Sequence, residues 1–145
     1  MTSEKFVVAY EGSVEDSSLL SYALERARKE GAALHIVHVL EWSPYSFLTP
    51  EELEERHGRR KDEISRAREV ILEPAIAEIE KAGVSCTGEI RYGQVVEIIA
   101  EIAGAQKAAM IFVGRSGRNS VSSRVFGSVP LGLAQIAPVP TVIVP

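Results

Sequence analysis

Phe6-Val7-Val8-Ala9-Tyr10 and Ala108–Val113 are apolar from end to end, with no polar residue at alternate positions. A strand with one face in water alternates. A strand without alternation is covered on both faces, which is how the strands of a parallel sheet read. Ala33–Leu40 is a third such run, interrupted only by His35 and His38, and Thr141–Val144 is a shorter one that follows Pro138-Val139-Pro140. Val84–Arg91 alternates loosely and is expected nearer an edge.

Helical patterns lie between these runs. Leu19, Leu20, Ala23, Leu24 and Ala27 recur at helical spacing; Asp16 or Ser17 can cap that helix and Gly31 stops it. Glu51–Ala82 carries the longest signal. Thr49 is its expected N-cap, with Pro50 in the first turn and Glu52 three residues after the cap. Ile64, Ala67, Ile71, Ala75, Ile79 and Ala82 form its apolar stripe. Gly58 is expected to break this helix near its start, and Pro74 to kink it. Val95–Ala103 buries Val95, Ile98, Ile99 and Ile102, with Gly104 closing it, and a final helix is expected from about Ser128 to Ala137. The order β-α-β-α-β-α-β-α-β predicts α/β architecture, a parallel sheet with helices on both faces and right-handed crossovers.

With 145 residues, 46% of them apolar and 25% charged, the chain is expected to form one domain, residues 1–145. A net charge of −4 argues against nonspecific nucleic-acid binding. A single cysteine, Cys86, excludes an intramolecular disulfide framework and fits a reducing compartment. Met1–Lys5 has no signal-peptide pattern and no apolar run is long enough to span a membrane, so a cytoplasmic protein without membrane partners is expected. His35 and His38 are read as neutral side chains on one face of a strand packed under a helix; a metal pair would need further ligands at zinc-like spacing.

Ligands of open α/β sheets bind beyond the carboxyl ends of the strands, where strand order reverses. Tyr10–Ser13, Val39–Glu41, Tyr92–Gln94 and Gly114–Ser128 should converge there. The last of these holds Gly114-x2-Gly117-x9-Gly127-Ser128, between an apolar strand and a helix. Small residues let the backbone approach a ligand, helix-start N–H groups attract anions, and Arg115, Arg118 and Arg124 can neutralise charge.

In this spacing the chain resembles the universal stress proteins, whose ATP-binding signature is Gly-x2-Gly-x9-Gly followed by Ser or Thr. Val8-Ala9-Tyr10-Glu11-Gly12-Ser13, His38-Val39 and Ala137–Pro145 are also similar to that family, with Glu11 standing where the family pattern has Asp. The resemblance implies the UspA-like, adenine nucleotide alpha hydrolase-like fold: three α/β/α layers around a five-stranded parallel sheet of order 3-2-1-4-5. It implies ATP, alone or with Mg2+, as ligand. By position, Ala9, Tyr10 and Glu11 would lie near adenine and ribose, and the Val39 backbone would meet the adenine. Gly114, Arg115 and Gly117 would follow ribose and phosphates; Gly127, Ser128 and Val129 would hold the β- and γ-phosphates. It further implies a homodimer through Thr141–Val144, and an exposed apolar edge strand independently suggests a partner.

The function this predicts is a nucleotide-dependent stress-response or signalling regulator. Alternatives are a slow ATPase or phosphotransferase and a dimeric interaction module without nucleotide. Turnover would need a water-positioning base, for which Glu11 is the placed carboxylate, and the Walker lysine motif is absent from the sequence. A flavodoxin-like electron carrier shares the architecture, but the glycine spacing favours ATP over a flavin.

Overall fold

The computed structural model describes residues 4–12, 16–41, 49–115 and 129–145. Its elements are β1 (Lys5–Ala9), α1 (Ser17–Glu30), β2 (Ala33–Glu41), α2 (Pro50–Ala67), a π-helical segment (Arg68–Leu72), α3 (Glu73–Lys81), β3 (Cys86–Gly93), α4 (Val95–Ala105), β4 (Met110–Gly114), α5 (Val129–Ile136) and β5 (Thr141–Val144). The five strands are parallel, in the order β3-β2-β1-β4-β5, as the sequence implied.

Strands without alternation need two apolar layers, and two are present. Phe6, Val8, Leu34, Ile36 and Phe112 face α1 and α3, meeting Leu19, Ala23, Ala75 and Ile79. Val7, Ala9, Val37, Ile111 and Val113 face α4 and α5, meeting Ile98, Ile99, Ile102 and Leu133. Phe6 and Phe112 stack tilted with ring centroids 5.3 Å apart across β1 and β4, and Tyr22 of α1 meets Phe112 at 5.9 Å. Each fully buried aromatic or branched side chain of this kind contributes roughly 1.5–3 kcal/mol.

The long helix departs from its expected form in two ways. Gly58 does not break α2, which runs through it. One glycine costs about 1 kcal/mol, and the start is strongly fixed. The Thr49 hydroxyl accepts from the Glu52 N–H, and the Glu52 carboxylate accepts from the Thr49 N–H, both at 3.2 Å. At Pro74 the disturbance takes the form of the π segment immediately before it, closed by the Glu73 N–H donating to the Arg68 carbonyl. Proline has no N–H and its ring crowds the carbonyl four residues earlier; a wider turn relieves that crowding.

The histidines also differ from expectation. They are three residues apart, so they point to opposite faces of β2. His35 is buried on the α4 side, where its Nε2 lies 2.7 Å from Glu89 Oε2 and its Nδ1 2.7 Å from Thr87 Oγ1. His38, buried on the other face, donates from Nδ1 to the Tyr10 carbonyl at 2.8 Å.

Candidate functional site

β1 and β2 run outward to one side of the sheet, and β4 and β5 to the other, so strand order reverses between β1 and β4. The carboxyl ends meet there: Ala9 pairs with Val37 on one side and with Val113 on the other. β2 continues past the end of β1 through Val39 to Glu41, walling the crevice on one flank. On the other flank the Arg115 N–H donates to the Val144 carbonyl at 2.9 Å, which fixes the exit of the chain from β4.

The residues expected at a nucleotide separate by face. Ala9, Val39 and Val129 belong to one apolar cluster on the α4 and α5 side. They come from three different elements. Tyr10 packs on the opposite side, against the α1 and α3 core. What it brings to the crevice is backbone: its N–H donates to the Val37 carbonyl at 2.9 Å and its carbonyl accepts from His38. Burial pushes the Tyr10 phenol above its ordinary value of 10.0, and the negative charges of Asp16 and Glu78 push it further. Glu11 and Arg115 are exposed, and Gly114 is half-buried. Gly117, Gly127 and Ser128, with Arg118 and Arg124, lie outside the described residues.

Asp16 does something the sequence did not suggest. It stands at the N-cap of α1 but makes no capping bond to the first turn. Its buried carboxylate turns back instead: Oδ2 accepts from the Glu11 N–H at 2.6 Å and from the Gly12 N–H at 3.2 Å. Two consecutive main-chain donors converging on one anion form a small nest, here filled by the protein's own carboxylate. The only signal in the sequence was a short acidic side chain five residues after Glu11.

One glycine is required by this geometry and a second fits it closely. Gly12 has φ +84°, and a Cβ there would lie 2.7 Å from Cγ2 of Ile71 in the π segment. A Cβ at Gly114 would lie 3.2 Å from Asp16 Oδ1 and 3.8 Å from Leu19. The bare backbone at Gly114 thus lets β4 pass over the Asp16 carboxylate into the following loop.

A flat apolar base is the kind of group that an apolar surface of Ala9, Val39 and Val129 accepts. Among the described residues no group of three or more His, Cys, Asp or Glu side chains could hold a metal ion. Mg2+, which keeps its waters and binds through phosphates with one or two carboxylates, would come with the nucleotide.

The model of the universal stress protein family matches residues 2–145. The chain belongs to the universal stress protein family. A universal stress protein of Mycobacterium tuberculosis is 25% identical over 154 residues, covering 96% of this chain. That match takes in 47% of the relative, so the chain spans about half the length of the curated relatives it matches. Among solved structures, universal stress protein UspA from Lactobacillus plantarum superposes with a TM-score of 0.83 at 19% identity, covering 100% of this chain and 99% of its own. The universal stress protein of Archaeoglobus fulgidus, in complex with dAMP, gives 0.63 at 20% identity, covering 99% and 98%. Other family structures similar to this chain are complexes with cAMP and with AMP. Nucleotide binding is therefore a property of some members, and the adenine nucleotide alpha hydrolase-like fold is common to them and this chain.

Proposed function

We propose that this chain is a universal stress protein that binds an adenine nucleotide, ATP in the first instance, at the crevice between β1 and β4, and that the bound nucleotide sets its conformation or its choice of partner. The observation that supports the reading is that Ala9, Val39 and Val129 all pack in the apolar cluster on the α4 and α5 face, while β4 ends at Gly114, the first glycine of the spaced loop. Complexes of relatives with dAMP, cAMP and AMP support the adenine moiety. In this reading Ala9, Tyr10 and Glu11 border adenine and ribose, the Val39 backbone meets the base, and Gly114, Arg115, Gly117, Gly127, Ser128 and Val129 follow the phosphates. When bound, the nucleotide supplies charge and shape at the loop; no catalytic step is assigned to any residue.

We infer in addition a homodimer through β5. That strand is a sheet edge, and Ile143 on it is half exposed, with Leu131 and Ile136 of α5 also exposed. An uncovered edge with apolar side chains favours a second copy of the same strand.

Calorimetric titration with ATP, ADP and AMP tests the site. Gly117→Val and Ser128→Ala should each weaken ATP binding. Unchanged affinity in both variants sinks the assignment of the phosphate loop, and no binding of any of the three nucleotides favours an interaction module instead.

A further inference from the structure

We propose that His38 is a positioning residue of the adenine subsite: its imidazole holds the Tyr10 carbonyl, ends the β1–β2 ladder one rung early, and so leaves the N–H and C=O of Val39 for the edge of the base. The inference rests on adenine-nucleotide binding at the β1–β4 crevice.

Alternate residues of β2 turn their main-chain groups toward β1. The Ala33 N–H donates to the Glu4 carbonyl at 2.8 Å, and the Val37 carbonyl accepts from the Tyr10 N–H at 2.9 Å. In a parallel ladder the next rung would run from the Val39 N–H to the Tyr10 carbonyl. Among the described residues that rung is missing: pairing of β1 with β2 stops at Ala9 and Val37, while β2 continues to Glu41 alongside β3. A side chain takes its place. His38 Nδ1 lies 2.8 Å from the Tyr10 carbonyl oxygen, and because a carbonyl only accepts, that nitrogen carries the hydrogen. His38 is 8% exposed, so water competes little for the bond. A carbonyl drawn to a ring on one face of the sheet leaves the plane of the ladder. Val39 then presents a donor and an acceptor on the side where β1 has ended, and main-chain groups so placed call for a partner. Adenine supplies one, because on a single edge its N1 accepts and its N6 amino group donates. Hypoxanthine presents the reverse, with N1–H donating and O6 accepting.

Two variants separate the donor from the bulk of the ring. His38→Leu fills the space without a donor, and His38→Asn keeps an N–H near the position of Nδ1. ATP and ITP, which differ at this edge, are titrated calorimetrically into the whole chain. Amide exchange of Val37 and Val39 is followed by NMR with and without ATP, and melting temperatures of the ligand-free proteins are recorded. In the parent the Val39 amide should exchange at least about tenfold faster than that of Val37 and slow on addition of ATP. ATP should bind about tenfold tighter than ITP. His38→Leu should restore the missing rung: its Val39 amide is protected without ligand, ATP binding weakens about tenfold, and the preference over ITP falls below about threefold. His38→Asn should retain most of the preference. A general loosening of the fold would weaken both nucleotides alike, so the ATP to ITP ratio isolates the positioning role. Three results overturn the inference and leave the nucleotide reading intact: a parent Val39 amide as slow as that of Val37, ITP binding the parent as tightly as ATP, or an unchanged preference in His38→Leu. If His38→Leu does not fold, the exchange rates and the ATP to ITP ratio of the parent decide. If neither nucleotide binds the parent, the nucleotide reading falls, and this inference with it.

Discussion

Gly12→Ala tests how tightly the loop after β1 is tied to the long helix. Two costs add. An L-residue at φ +84° is strained by about 1–2 kcal/mol. The new Cβ would also stand 2.7 Å from Ile71 Cγ2 and 3.2 Å from Cγ1. These atoms sit on the β-branch of isoleucine, whose χ1 is stiff, so they cannot swing away as the end of a long side chain would. Relieving that overlap costs about 1–3 kcal/mol, and the sum is a loss of about 2–5 kcal/mol in unfolding free energy. The two parts separate in a double-mutant cycle. Ile71→Ala removes both crowding atoms and leaves its Cβ at 3.4 Å, an ordinary contact. In that background Gly12→Ala should cost only the backbone part, giving a coupling of about 1–3 kcal/mol, the overlap part. Urea unfolding followed by far-ultraviolet circular dichroism measures all four proteins. A cost below about 0.5 kcal/mol for Gly12→Ala, or a cost that Ile71→Ala leaves unchanged, refutes the packing of the loop on the π segment.

Phe112→Ala removes a fully buried ring that meets both Phe6 and Tyr22, and should lower stability by about 3–5 kcal/mol in the same unfolding assay. Burial, with Glu80 nearby, pushes the Cys86 thiol from its ordinary 9.0 to about 12. The folded state then holds a proton that the unfolded chain releases, so stability is intact below pH 9 and declines as pH rises toward 12; Cys86→Ala should flatten that decline in unfolding curves measured across the range. Ile143→Lys, at a half-exposed position of the edge strand, should change monomer stability by less than about 0.5 kcal/mol and convert the proposed dimer to monomer in sedimentation velocity.

The architecture was legible because burial on two faces leaves a mark in the sequence. Phe6–Ala9 and Ile111–Val113 could be read as covered strands from their lack of alternation, and each lies fully between the two apolar layers. The start of α2 was legible for a local reason: Thr49 and Glu52 satisfy each other's donors without tertiary help. What was not legible depended on contacts distant in the chain or on competition between acceptors. Asp16 was a sound N-cap by type, but the Glu11 and Gly12 N–H groups compete for the same carboxylate and win. Gly58 was weighed as a breaker, although one glycine is a small cost against a well-capped helix. The π segment had a faint signature. Ala67, Ile71, Ala75 and Ile79 step by four, and each such step overshoots an α-helical turn by about 40°. A wider turn takes up that overshoot. For the candidate site, the placing of Val39 and Gly114 at the carboxyl ends of the strands followed from topology and that of Ala9 from the family resemblance, whereas the Asp16 carboxylate beneath Gly114 needed three-dimensional geometry.

The π segment has a further meaning for the history of the chain. A single surplus residue, absorbed in one wide turn, leaves the helices before and after it in phase. Arg60 and Glu63 of α2 still reach Tyr92, one stacking 4.6 Å over the ring and the other accepting from its hydroxyl at 2.8 Å. Ala75 and Ile79 of α3 still face the sheet. Spread along an ordinary α-helix, the same surplus would turn one set about 100° away from its partners. The bulge therefore works as a length buffer: a relative one residue shorter at this point keeps both faces, and an alignment should open its gap between Arg68 and Leu72.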